Sequence, residues 1–143
     1  MKFDPYMNGR VCVDRLMDEY HAHKKLIIAV DFDDTVYDIH SKGFQFPEIW
    51  DLLKECKSKG FYIVVFTASA PERYEFITQH FKDNGIVIDS INKNPIELTY
   101  GNHGKIYYNI LLDDRAGLGQ AFSILNIVLQ RIRKEIEDNC KVS

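Results

Sequence analysis

Residues 31–35 read DFDDT, three aspartates and a threonine in five positions, directly after the apolar run LIIAV. Two carboxylates about 4 Å apart repel by roughly 4 kcal/mol at an effective dielectric near 20. Water screens that repulsion on a loop, whereas a packed strand end requires a cation, a shared proton or a chemical task. A second acidic pair, Asp113 and Asp114, follows another apolar run in ILLDDR, with Lys105 shortly before it in GNHGK. A third apolar run, FYIVVF, leads into Thr67 and Ser69. Carboxylates are hard oxygen donors, and such a cluster selects Mg²⁺ over softer metals. Asp, Thr, Lys and Mg²⁺ around one point form the inventory of a phosphoryl-transfer site, where charge on the transferring oxygens must be held.

These residues share a site only if the intervening elements bring them together. Val13, Leu16, Met17 and Tyr20 recur at helical spacing and predict a short N-terminal helix. Leu26–Val30 is a continuous apolar run, the pattern of a strand buried on both faces. Residues 36–46 predict a small hairpin flap turning at Ser41–Gly43. Pro47 suits a first helical position, and Ile49, Leu52, Leu53 and Cys56 form a stripe that ends at Gly60. Further strands are predicted at 61–66, 86–91 and 106–112, with a helix from about Pro71 to Asp83 and a last one bearing Leu118, Phe122, Leu125, Leu129, Ile132 and Ile136. Strands alternating with helices imply right-handed crossovers. The expected fold is α/β, a three-layer Rossmann-like sandwich around a mostly parallel sheet. Ligands of such sheets bind beyond the carboxyl ends of the strands, where Asp31, Asp33, Thr67 and Asp113 belong.

Composition bounds the remaining possibilities. A chain of 143 residues without a Pro/Gly/Ser-rich linker, repeat or low-complexity run reads as one domain over 1–143. Net charge −3 argues against a strongly cationic nucleic-acid binder, and no apolar run reaches the roughly 18–20 residues of a membrane span. The N-terminal MKFDPYMNGR lacks a signal-peptide apolar core. Cys12, Cys56 and Cys140 are odd in number and widely spaced, which opposes a disulfide framework and fits a reducing, cytoplasmic setting.

DFDDT, FTAS, Lys105 and LLDD, in this order and each beside its strand, resemble the four motifs of the haloacid dehalogenase-like hydrolase superfamily. The resemblance spans Asp31 to Asp114 and implies a Mg²⁺-dependent phosphatase. It makes Asp31 the nucleophile that forms an aspartyl-phosphate, and Asp33 the general acid and then base. Thr67 and Lys105 hold the phosphoryl oxygens. Mg²⁺ is held by Asp31, Asp113, the backbone carbonyl of Asp33, and Asp114 directly or through water. The gaps from Thr35 to Pro47 and from Thr67 to Lys105 are too short for a cap domain, which points to a capless member with an open site. Such a site suits a phosphorylated small molecule, an exposed macromolecular phosphate, or a substrate enclosed by a second copy in a homo-oligomer. Small capless relatives often carry Arg where this chain has Ser69, a departure for which Arg73 or Arg115 could compensate; Ser69, Arg73 and, for its nearness to Lys105, His103 are the substrate-contact candidates.

Plainer readings stand beside each of these. An aspartate after a strand is often a turn former or helix cap, an even choice for Asp34 and Asp114 taken singly. Thr67 alone reads as a satisfied strand-end hydroxyl and Lys105 alone as a solvated lysine, with Lys93 a weaker competitor for its role. GNHGK is too short between glycines for a P-loop and lacks the required Ser or Thr. Two other functions use similar inventories. One is a phospho-acceptor signalling domain of the response-regulator type, whose acceptor normally ends a middle strand. The other is a non-catalytic binding protein on the same fold.

Overall fold

The computed structural model describes residues 3–96, 98 and 104–142. Helix α1 (Gly9–His23) starts where the Asn8 side chain accepts the Arg10 N–H at 2.9 Å, and it stops at Lys24, which takes a left-handed conformation. Strand β1 (Ile27–Val30) is buried at every position. Helix α2 (Pro47–Ser58) begins on proline, whose missing N–H costs nothing in a first turn. Strand β2 is Tyr62–Val65, and a 3₁₀ turn at Pro71–Arg73 leads into helix α3 (Tyr74–Asp83). Strands β3 (Ser90–Ile91) and β4 (Ile110–Leu112) precede the long helix α4 (Leu118–Val142).

The four strands form one all-parallel sheet in the order β3-β2-β1-β4. Val30 lies opposite Val65 on one side and Leu112 on the other. The fold is thus a Rossmann-like three-layer α/β sandwich, and its layers are unequal. Ile28, Val30, Ile63, Val65 and Leu112 share one core with buried side chains from all four helices, Leu16, Leu53, Phe81 and Leu129 among them. On the alternate face Ile27 and Val64 join Ile106 in a smaller cluster, with Tyr62, Tyr107 and Tyr108 against it. Described cover there comes from the chain leading into β4. Cys56 is buried filler, and burial pushes its thiol up to about 12, which leaves it inert.

The outer strands are shorter than their apolar runs predict because side chains replace part of the backbone ladder. The Asp89 carboxylate accepts the Ile63 N–H at 2.7 Å, so 86–91 pairs as strand only at its end. Asn109 Oδ1 accepts the Ile27 N–H at 2.6 Å, and β4 begins just after it. The predicted hairpin at 36–46 is a loop instead. Among the described residues its strand character is one isolated bridge between Asp33 and Tyr37. The Asp38 carboxylate accepts the N–H groups of Lys42, Gly43 and Phe44 at 3.1, 2.7 and 3.2 Å, and these bonds hold the turn that cross-strand pairing would otherwise hold. Among the described residues, neither 36–46 nor 92–109 adds a helix or strand pair, in keeping with a capless chain. No described helix is long and apolar enough to cross a membrane.

Asn109 also donates to Glu19 Oε2, tying the lead-in to β4 to α1. Asn109→Ala removes the acceptor of a β1 amide and is expected to lower stability by about 1–3 kcal/mol, read from the urea midpoint. Asn109→Asp keeps an acceptor for the Ile27 amide but sets a carboxylate against Glu19, so at neutral pH it is expected to destabilise at least as much as Ala.

Candidate active site

Strand β1 turns toward β2 and then β3 on one side, and the chain crosses back to place β4 on the other. The switch point therefore lies between β1 and β4, the usual crevice of such sheets. The Asp31 N–H donates to the Leu112 carbonyl at 2.9 Å, so Asp31 on one side of the crevice stands beside Asp113 and Asp114 on the other. One carboxylate oxygen from each of Asp31, Asp113 and Asp114 lies within 4.8 Å of the other two.

Thr35 braces this group. Its fully buried hydroxyl accepts the Asp114 N–H at 3.1 Å and lies 3.3 Å from both Asp31 Oδ2 and Asp114 Oδ1, its single proton shared between them. Burial is the main cause that pushes Asp31 up to about 7, with the Asp114 side-chain hydrogen bond and the Asp113 charge adding to it. The next residue but two, Asp34, takes φ 60°, a left-handed conformation that Asp tolerates better than most residues. His40 Nε2 stands 3.6 Å from Asp34 Oδ2.

Asp33 faces a different partner. Arg73 donates from Nη1 to Asp33 Oδ2 and from Nη2 to Oδ1, both at 2.8 Å, and Nη1 also reaches Ser69 Oγ at 2.8 Å. The planar guanidinium fork matches a carboxylate in this two-point manner, which an ammonium does not. The same guanidinium lies 5.2, 5.6 and 5.9 Å from the ring centres of Phe32, Tyr37 and Phe76. Ser69 and Arg73, two substrate-contact candidates, thus meet each other and orient Asp33.

Thr67 ends β2. Asn92, with φ 55°, accepts the Thr67 N–H at 2.8 Å and donates to the Thr67 carbonyl at 2.7 Å, as a neighbouring strand would. Thr67 Oγ1 accepts the Ser69 N–H at 3.1 Å. One cavity of about 580 Å³ gathers Asp31, Asp33, Asp34, Thr67, Asp113 and Asp114, and Ile39, His40, Phe66, Ala68 and Arg115 complete its lining.

Lys105 lies elsewhere. It lines a second cavity with Lys93, Asp89 and Ser90, and the acidic cavity holds neither lysine among its described lining. His103 falls outside the described residues. Among the described residues, the basic side chains that line the acidic cavity are His40 and Arg115. Neither His40 nor Asn92 carries a motif or spacing that marks it in the sequence. Thr35 was already part of the DFDDT run, which is the signal by which its role could be found.

No family model matches this chain, and no curated protein matches it. Among solved structures it is similar to a conserved protein coded by a locus from Bacteroides thetaiotaomicron, with 20% identity and a TM-score of 0.57. That likeness covers 78% of this chain and 92% of the other, and it extends to the fold alone.

The raised Asp31 gives a signed pH dependence. Between its ordinary 3.8 and about 7, the folded chain holds a proton that the unfolded chain has lost, so metal-free stability falls as pH rises through this window. Asp31→Asn removes that slope. Without metal at pH 8 the variant should melt a few degrees above wild type. The gain should vanish near pH 4, as checked by thermal unfolding across pH in chelator.

Proposed function

We propose that this chain hydrolyses phosphate monoesters through Asp31, as a capless phosphatase of the haloacid dehalogenase-like type. The observation that carries the reading is the convergence of Asp31, Asp113 and Asp114 within 4.8 Å at the switch point, beside Asp33 and Thr67. The donor set is entirely hard oxygen, so it fits Mg²⁺ chemically. Asp31, Asp113 and Asp114, with the Asp33 carbonyl, would hold the ion. When bound, Mg²⁺ would neutralise the cluster and offset charge on the transferring phosphoryl group.

The rest of the chemistry belongs to the chain's own groups. An Asp31 oxygen bonds to phosphorus as the ester P–O bond breaks, and the departing oxygen takes a proton from Asp33, which must first turn one oxygen out of the Arg73 fork and take up that proton from solvent. Water then attacks phosphorus and gives a proton back to Asp33, which releases inorganic phosphate and restores Asp31. Thr67 supplies a hydroxyl and strand-end backbone to the phosphoryl oxygens. Arg73 is a positioning residue, because it grips both oxygens of Asp33 and lies outside the cavity lining. Arg115 supplies a cation at the cavity and His40 an imidazole, where Lys105 would stand under the resemblance.

The phospho-acceptor reading is weakened by Asp89. The residue leading into β3 is occupied by the Ile63 N–H and by Lys57 Nζ at 3.0 Å. A non-catalytic binding role is favoured by one observation, the separate location of Lys105.

Multiple-turnover phosphate release from a generic aryl phosphate separates the three. A phosphatase turns over repeatedly with Mg²⁺, stops in chelator, and loses at least about 10³-fold activity in Asp31→Asn. A phospho-acceptor stops after one phosphoryl group per chain, and a binding protein releases none. Arg73→Met should lower kcat by about 10- to 100-fold with little change in KM, since it frees Asp33 without touching substrate. Arg73→Lys keeps the charge but not the fork, and should recover only part of that loss.

A further inference from the structure

The acidic cavity has a second character that phosphate chemistry leaves unused. Three of its lining residues, Phe66, Ala68 and Ile39, are apolar. Phe66 is 41% exposed and Ile39 40% exposed. A single exposed hydrophobe calls for no explanation. Here two come from separate segments, the end of β2 and the loop after β1, and both face the cavity that holds the acids.

Register puts Phe66 close to the reacting centre. The last paired residues are Val30 and Val65, and the Phe66 N–H donates to the Val30 carbonyl at 2.9 Å. Asp31 and Phe66 are the next residues on adjacent strands, whose backbones run about 4.8 Å apart. A group attached to a phosphate at Asp31 is therefore within reach of the Phe66 side chain. A polyhydroxylated leaving group would lose water against this wall without gaining hydrogen-bond partners. A flat ring would gain a stacked or edge-on contact with Phe66, the arrangement that aromatic pairs prefer. The cavity volume of about 580 Å³ lies within the range of small-molecule sites.

We infer that Phe66, Ile39 and Ala68 form the leaving-group subsite of this cavity, and that it selects phosphate monoesters whose leaving group carries a planar aromatic ring. The inference rests on the phosphatase reading above and names its substrate class. Two sources share that chemistry, aryl phosphates and nucleoside monophosphates.

The test compares kcat/KM, with Mg²⁺, for phenyl phosphate, adenosine 5′-monophosphate, hexyl phosphate and glycerol phosphate in wild type, Phe66→Ala and Phe66→Leu. At least one ring-bearing substrate should exceed both aliphatic ones by about tenfold or more, and which one does so identifies the source. Phe66→Ala should narrow that gap by about tenfold, mainly through KM. Phe66→Leu should narrow it nearly as far, because it restores bulk but no ring. Equal use of hexyl and phenyl phosphate would overturn the inference, as would an equal loss on all four substrates in both variants. Binding to Asp31→Asn, followed by calorimetry with the same four compounds, separates this inference from the phosphatase reading. Ring-selective binding that weakens with Phe66→Ala, without turnover in wild type, sinks the phosphatase reading and keeps the subsite. Neither turnover nor ring-selective binding sinks both.

Discussion

Like charge gathered in a small volume is the constraint around which the rest of this structure is arranged. Asp31, Asp113 and Asp114 approach within 4.8 Å at the end of a strand that is buried along its length. Repulsion at such a distance amounts to several kcal/mol unless it is relieved. In the chain itself, relief comes from the Thr35 hydroxyl and from Asp31's hold on a proton to about pH 7. Asp33 is drawn aside by Arg73 and so adds little to the crowding. The repulsion that remains is what a bound cation would relieve under the proposed function.

Holding the cluster requires a sheet that cannot slip. The side-chain closures of the ladder serve that purpose. Asn109, Asp89 and Asn92 each take the place of a backbone partner, at Ile27, Ile63 and Thr67. Amides on a short strand are thereby satisfied without a longer neighbour. The outer strands can then stay at two and three residues while the central pair keeps its four. Chain beyond β2 and β4 forms the cavity rim at 66–68 and 113–115. On the helical side, the shared core from α1 to α4 fixes the strand positions by packing.

The Arg73 network shows how a polar cluster can be assembled from residues that are weakly informative in the sequence. Arg73 lies on a 3₁₀ turn just before α3, forty positions from Asp33, and three aromatic rings fix the plane of its guanidinium. Its orientation decides where Asp33 points. Phe76 belongs to α3, whereas Phe32 and Tyr37 flank the acidic run, so that helix and strand end are joined by one side chain.

By itself, the sequence determined the order of elements, the parallel sheet and the acids at its carboxyl edge. Continuous apolar runs and helical stripes follow from burial, which is local in pattern, and Asp31, Asp33, Thr67, Asp113 and Asp114 inherit their placement from the strands they follow. Tertiary structure alone decided the strand lengths, the loop at 36–46 and the company each charged group keeps. Asn92 reads as a turn residue until Thr67 is beside it, and Arg73 reads as a surface charge until Asp33 is within 2.8 Å. Lys105 shares a linear order with the acids yet lines another cavity, since motif order constrains topology and leaves a loop side chain free to settle several ångströms away. Strand and helix periodicity reports which face is buried; hydrogen-bond partners distant in sequence carry no such period, and only folding pairs them.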